Sequence, residues 1–250
     1  MNLLKILAGG VIAAVLAIGS AQAGQDYNNN DNNFNYNDCS HDNNGCTPLH
    51  LSGTATNGAL TVWNFRCVGG LGALCADALP SNPGASGTPL YSGLYTGAVN
   101  FQMPAVFDSV GAFLATGGGS FNSPLTFGDY ATVLSTGFTH NVGIVTLMEF
   151  TFTLTGTDLL KIQHDDGISI WNSTDTHNYL PTSASDPTTL ATTTITLLAG
   201  TYNLWYAEVN GLPADLLTCI TPVPEPLTLS LFGAGLAGAA AMRRRKKKSA

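Results

Sequence analysis

The residues best placed to do chemistry are two adjacent carboxylates, Asp165 and Asp166, set between His164 and Gly167 where one strand-like run ends and another begins. Taken by themselves they read as turn residues: Asp-Gly is a frequent hairpin pair, and the preceding Asp can accept from the turn's own amides. For acid–base catalysis the stretch 24–222 offers two glutamates, Glu149 and Glu208, each needing an aspartate partner to run a glycosidase pair. There is no Gly-x-Ser-x-Gly elbow and no His-Glu-x-x-His motif, so neither serine-hydrolase nor zinc-protease chemistry has a candidate constellation. Cys39, His41, Cys46 and His50 are zinc-type ligands at a spacing that matches no closed zinc site. An enzyme is therefore not expected.

The elements that must hold these residues are short strands. Gly, Thr, Ser and Pro interrupt the chain every ten residues or so from Leu60 to Ile220. In Thr146–Thr155 the side chains Thr146, Met148, Phe150, Phe152 and Leu154 alternate with Leu147, Glu149, Thr151, Thr153 and Thr155, the pattern of a half-buried antiparallel strand. Leu159–Gln163, Gly167–Trp171, Thr193–Leu198 and Tyr202–Val209 have similar length and β-branched or aromatic content, and no segment of the central region sustains a helical period. The expected fold is all-β, an antiparallel, jelly-roll-like β-sandwich.

Between residues 24 and 222 there are fifteen acidic residues against two basic ones, Arg66 and Lys161, a net charge of −13 that the whole chain's −7 conceals. Such a domain cannot neutralise phosphates, which excludes nucleic acid, and it suits cations or neutral sugars. All five cysteines, Cys39, Cys46, Cys67, Cys75 and Cys219, lie in the same stretch, and on an export route disulfides are the default. Close spacing suggests Cys39 with Cys46 and Cys67 with Cys75, with the connectivity left open. Gln25–Asn44 is dominated by Asn and Asp and cannot build a core.

The two ends carry targeting signals. Lys5, the apolar run Ile6–Ile18 and Ala21-x-Ala23 form a secretory signal peptide expected to be cleaved after Ala23. At the other end stand Pro224-Glu225-Pro226, the apolar or small residues Leu227–Met242, and Arg243, Arg244 and Arg245 followed by three lysines. Sixteen residues make about 24 Å of helix, barely a bilayer core, with the cations holding the cytoplasmic side. This ordered set resembles the PEP-CTERM sorting signal of Gram-negative bacteria. The resemblance implies an exosortase that removes the helix and releases or attaches the protein among exopolysaccharide, at the cell envelope, outer surface or extracellular matrix. The expected organisation is signal peptide 1–23, Asn-rich arm 24–50, β-sandwich 51–221 and sorting signal 222–250, the last containing a single transmembrane helix.

The order strand, Asp165-Asp166-Gly167, strand, Trp171, a later Gly200-x-Tyr202 strand and Asn210-Gly211 resembles the protective-antigen domain family, which includes flocculin-type lectins. In its lectin branch two aspartates joined by a cis peptide and a later asparagine hold Ca²⁺, which also binds sugar hydroxyls. The resemblance implies Asp165, Asp166 and Asn210 as metal ligands, with Trp171 or Tyr206 as an apolar face for a sugar ring. Ca²⁺ takes six to eight hard oxygens, so open positions would accept vicinal hydroxyls. The function expected is a non-catalytic carbohydrate- or matrix-binding module, with Ca²⁺ as its cofactor. The alternative is a structural matrix protein without a discrete ligand. Behind both stand a glycosidase using Glu149 or Glu208, and an ice-binding face of Thr151, Thr153 and Thr155.

Overall fold

The structure is a computed structural model and describes residues 47–68, 72–103, 109–123, 133–136, 143–209, 211 and 213–223. The signal peptide, the Asn-rich arm, Cys39, Cys46, Asn210 and the tail from Pro224 onward lie outside the described residues.

The described strands are β1 (His50–Ser52), β2 (Ala59–Cys67), β3 (Tyr91–Ala98), β4 (Asn100–Met103), β5 (Ser120–Phe121), β6 (Gly143–Leu154), β7 (Asp158–Asp165), β8 (Gly167–Asn172), β9 (Ala191–Leu197), β10 (Gly200–Glu208) and β11 (Ala214–Pro222). They form two antiparallel sheets. One has the order β1-β3-β2-β6-β10-β8 with β5 beside β3, and the other the order β4-β11-β7-β9. The inner faces meet in one core, to which Leu60, Val62, Met148, Phe150, Phe152 and Leu204 contribute from the larger sheet and Phe101, Leu160, Ile162, Ile195 and Leu216 from the smaller. Each such fully buried side chain stabilises the fold by roughly 1.5–3 kcal/mol. The sandwich expected from the alternation in β6 is present: Met148, Phe150, Phe152 and Leu154 enter the core, while Leu147 on the opposite face is buried as well.

One helix departs from the all-strand expectation. α1 (Val110–Thr116) is capped by Ser109 Oγ, which accepts from the Ala112 N–H at 3.2 Å, and buries Val110, Phe113 and Leu114. Seven residues hold less than two full periods, too few to stand out in the sequence.

A second apolar cluster lies on the outer face of the larger sheet, where Trp63, Val145, Leu147, Trp205 and Ala207 are covered by Ala76 and Ala78. The disulfide Cys67–Cys75, with Cα atoms 6.0 Å apart, clips the start of the covering segment to the end of β2. Cys219 is also disulfide-bonded. Spacing therefore identified one bond but did not anticipate that Cys219 is engaged; Cys39 and Cys46 fall outside the described residues.

Candidate functional site

The Asp165–Asp166 pair is not a hairpin turn. β7 pairs with β9 and β11 in the smaller sheet, whereas β8 pairs with β10 in the larger one. The two aspartates form the corner at which the chain passes from one sheet to the other, and the peptide bond between them is cis. Gly167 is required just after the corner because a Cβ there would run into the backbone carbonyl of Ser185, so the β8–β9 connection closes directly over the carboxylates.

Asp166 is fully buried. Its Oδ1 accepts from the Thr188 N–H at 3.2 Å and its Oδ2 from the Val209 N–H at 2.8 Å. It thereby ties the connections that follow β8 and β10 to the corner. His164, also buried, has its Nδ1 at the Asp166 carbonyl and its Nε2 2.9 Å from Thr193 Oγ1. Burial lowers its pKa, so the ring is neutral. A carbonyl only accepts, so Nδ1 carries the proton and Nε2 accepts from Thr193. This histidine thereby orders the corner.

Asp165 is buried, and its carboxyl is pushed up to about 7 by desolvation, then by the charges of Asp166 and Asp215. Its backbone carbonyl accepts from the Tyr206 hydroxyl. Tyr206 Oη also lies 2.7 Å from Glu208 Oε2, and Ser135 Oγ donates to Glu208 Oε1 at 2.9 Å. Glu208 is fully buried, and desolvation together with the Asp166 charge raises its pKa to about 10. Near neutral pH it is the acid. It then donates from Oε2 to Tyr206, whose own proton goes to the Asp165 carbonyl, and every member of the chain is satisfied.

The Tyr206 ring is not a sugar platform. It is wholly buried and stacks on Phe113, with centroids 5.8 Å apart and planes 13° from parallel. Tyr206→Phe is accordingly expected to destabilise the fold by about 1–3 kcal/mol, through the buried carbonyl left unpartnered, and to leave any ligand affinity unchanged. Chemical denaturation beside a binding titration checks this; an affinity loss at unchanged stability would return the ring to the site.

Trp171 is not brought to the carboxylates. It lies four residues beyond Gly167, roughly 13 Å along the strand, on the outer face with the Trp63–Trp205 cluster, and its Nε1 donates to Ser169 Oγ at 2.7 Å. Trp63 and Trp205 stack there at 5.6 Å. Asp175, in the left-handed region at φ 52, accepts from Asn203 Nδ2 at 3.1 Å and from Trp205 Nε1 at 3.2 Å. Glu149 in the same patch is raised to about 7 by burial and then by the Asp175 charge. Two of the three threonines on this face are committed as well. Thr151 donates to Asn203 Oδ1, and Thr153 bonds the Thr56 carbonyl and Thr201, so their hydroxyls do not form a free array facing an ice surface.

The segment Ser173–Thr189, between β8 and β9, divides its work. Thr188 reaches Asp166, whereas His177 and Tyr179 pack edge to face and continue onto Tyr202. Asp77 adds a buried acid, raised to about 6 by desolvation and by Asp186 from this segment.

The corner suits a hard cation in its donor chemistry: Asp165 is raised to about 7 by burial and then by the charges of Asp166 and Asp215, and Asp215 Oδ1 beside them is buried with no hydrogen-bond partner among the described residues. Among the described residues, however, no three His, Cys, Asp or Glu side chains converge as a metal-binding group, and the amide ligand implied by the resemblance, Asn210, lies outside them. The sequence reading missed Asp77 and Asp215. The signal for Asp215 was a lone carboxylate in the otherwise apolar run Leu212–Leu217.

The described fold is an antiparallel β-sandwich with a carboxylate corner between its sheets. Residues 222–246 match the PEP-CTERM protein-sorting motif, which marks an exported protein directed to the cell envelope or surface. No curated protein matches the chain. Among solved structures it shows a weak resemblance to a PA14 sugar-binding domain from an RTX adhesin, at 15% identity over 66% of this chain and 90% of that one with a TM-score of 0.38. It also resembles the epithelial adhesin 6 A domain from Candida glabrata, in complex with Galb1-3GlcNAc, at 18% identity over 72% of this chain and 87% of that one with a TM-score of 0.32.

Proposed function

We propose that the chain is a non-catalytic surface module that binds carbohydrate through a Ca²⁺ ion held at the Asp165–Asp166 corner, and that exosortase processes its tail. The observation that carries this is the concentration of buried acceptors at the corner, Asp165, Asp166 and Asp215, whose mutual repulsion calls for a positive charge. Asp165, Asp166 and Asn210 would hold the ion, which supplies open positions for vicinal hydroxyls. Hydrogen bonds from the N–H groups of Thr188 and Val209 fix the Asp166 carboxylate at the corner. Catalysis through Glu208 is disfavoured because it is sealed in the core.

A structural matrix role is the second reading, favoured by the fact that both Asp166 oxygens already brace the fold. Polysaccharide binding by the purified protein separates the two. Chelation and Asp165→Asn are each expected to weaken binding at least about tenfold, the effect of losing a ligand or its support. Glycan binding that withstands both would remove the ion from the mechanism, and no glycan binding at all would favour the matrix role.

A further inference from the structure

The outer face of the smaller sheet carries buried acceptors that no donor answers. The ladder pairs Asp215 of β11 with Gln102 of β4 on one side and with Asp165 of β7 on the other, and pairs Leu217 with Gln163 one row along. Paired residues share a face, and alternate residues of a strand return to it. Leu216 and Ile162 point into the core, so Asp215, Asp165 and Gln163 sit side by side on the opposite face. Asp215 and Gln163 are each 5% exposed. Asp215 receives a hydrogen bond from Gln102, yet among the described residues its Oδ1 has no partner, nor has Gln163 Oε1.

Buried acceptors left open in this way are costly. A proton shared between Asp165 and Asp215 would answer the carboxylates but leave the Gln163 carbonyl open. A water molecule would answer both orphaned oxygens but would leave the charge of three neighbouring aspartates uncompensated. A hard divalent cation meets both demands, because it binds carboxylate and amide oxygens together.

We propose that Asp215 and Gln163 join Asp165 in holding a divalent cation of the calcium class against the outer face of the smaller sheet. This rests on the cation reading of the corner and adds two side chains to it that the Asp-Asp-Gly motif does not contain. The ion is thereby seated on a strand ladder as well as on a loop, so its binding stiffens the β7–β11 pair.

The test is a Ca²⁺ titration by calorimetry into the chelator-stripped, disulfide-intact exported protein, alongside Asp165→Asn, Asp215→Asn and Gln163→Met. The unmutated protein should show one site, and each variant should bind at least about tenfold more weakly. Thermal melts exclude unfolding as the cause. In chelator, Asp215→Asn should melt no lower than the unmutated protein, because it removes a buried like charge, while its gain in Tm on adding Ca²⁺ should shrink. If Asp165→Asn abolishes binding and the other two stay within twofold, Asp215 and Gln163 are not ligands, while the corner stands as the site. If the unmutated protein takes up no Ca²⁺, both this assignment and the cation reading of the corner fall.

Discussion

Asp166→Ala is expected to unfold about 3–5 kcal/mol more easily than the unmutated protein, by chemical denaturation in chelator. The buried N–H of Val209 and the part-buried N–H of Thr188 would lose a charged acceptor, and each such bond is worth about 1.5–3 kcal/mol. Relief of repulsion with Asp165 and Glu208 offsets part of this. The hydrogen bonds win because neutral acid at Glu208 already removes much of that repulsion. Asp166→Asn should lie between, since an amide keeps one acceptor but turns an N–H₂ toward the other donor. A loss below about 1 kcal/mol for the alanine variant would show that water replaces the carboxylate at little cost, and that the corner is held by other contacts.

The second large effect is on pH. Asp77 is raised to about 6, Asp165 and Glu149 to about 7 and Glu208 to about 10, each chiefly by burial. In the unfolded chain these acids titrate near pH 4. At any pH between the two values the folded protein binds more protons, so stability falls as pH rises. The three lower groups lose their contribution between about pH 4 and pH 7, and Glu208 continues losing it up to about pH 10. Each proton difference has a ceiling of about 1.4 kcal/mol per pH unit. With partial relaxation and screening, a melting temperature lower by about 5–10 °C at pH 8 than at pH 5 is expected in chelator. Glu208→Gln should flatten the curve from about pH 4 upward, leaving stability near pH 4 almost unchanged and raising it at neutral pH. Its amide can accept from Ser135 and donate to Tyr206 as the acid does. A melting temperature that rises from pH 5 to pH 8 would contradict the buried, protonated state of these acids.

The sandwich was legible because β6 and β10 alternate in two-residue steps and their inner faces are apolar. What remained hidden were relations between strands that are distant in sequence. Asp-Gly suggested a hairpin, yet β7 and β8 belong to different sheets, and only long-range pairing decides that. Tyr206 was a candidate sugar platform only through the family resemblance; Phe113, on a helix too short to detect, covers its ring. Trp171 was near the aspartates in sequence but points to the outer face. Asp215 and Asp165, fifty positions apart in sequence, meet only through the β7–β11 register.

That register has a mechanical consequence. β11 runs through the interior of its sheet to Pro222, between β4 and β7, and residues 222–246 match the sorting motif. A pull applied through the tail acts along β11. It loads the antiparallel ladder to β7, from Asp215–Asp165 to Pro222–Asp158, in shear, with the Thr47–Ile220 bridge beside it. In shear the bonds of a ladder share the force and fail together; in a peeling geometry they would fail one by one. A domain held at the cell surface by this end is therefore attached through an interior strand loaded in shear.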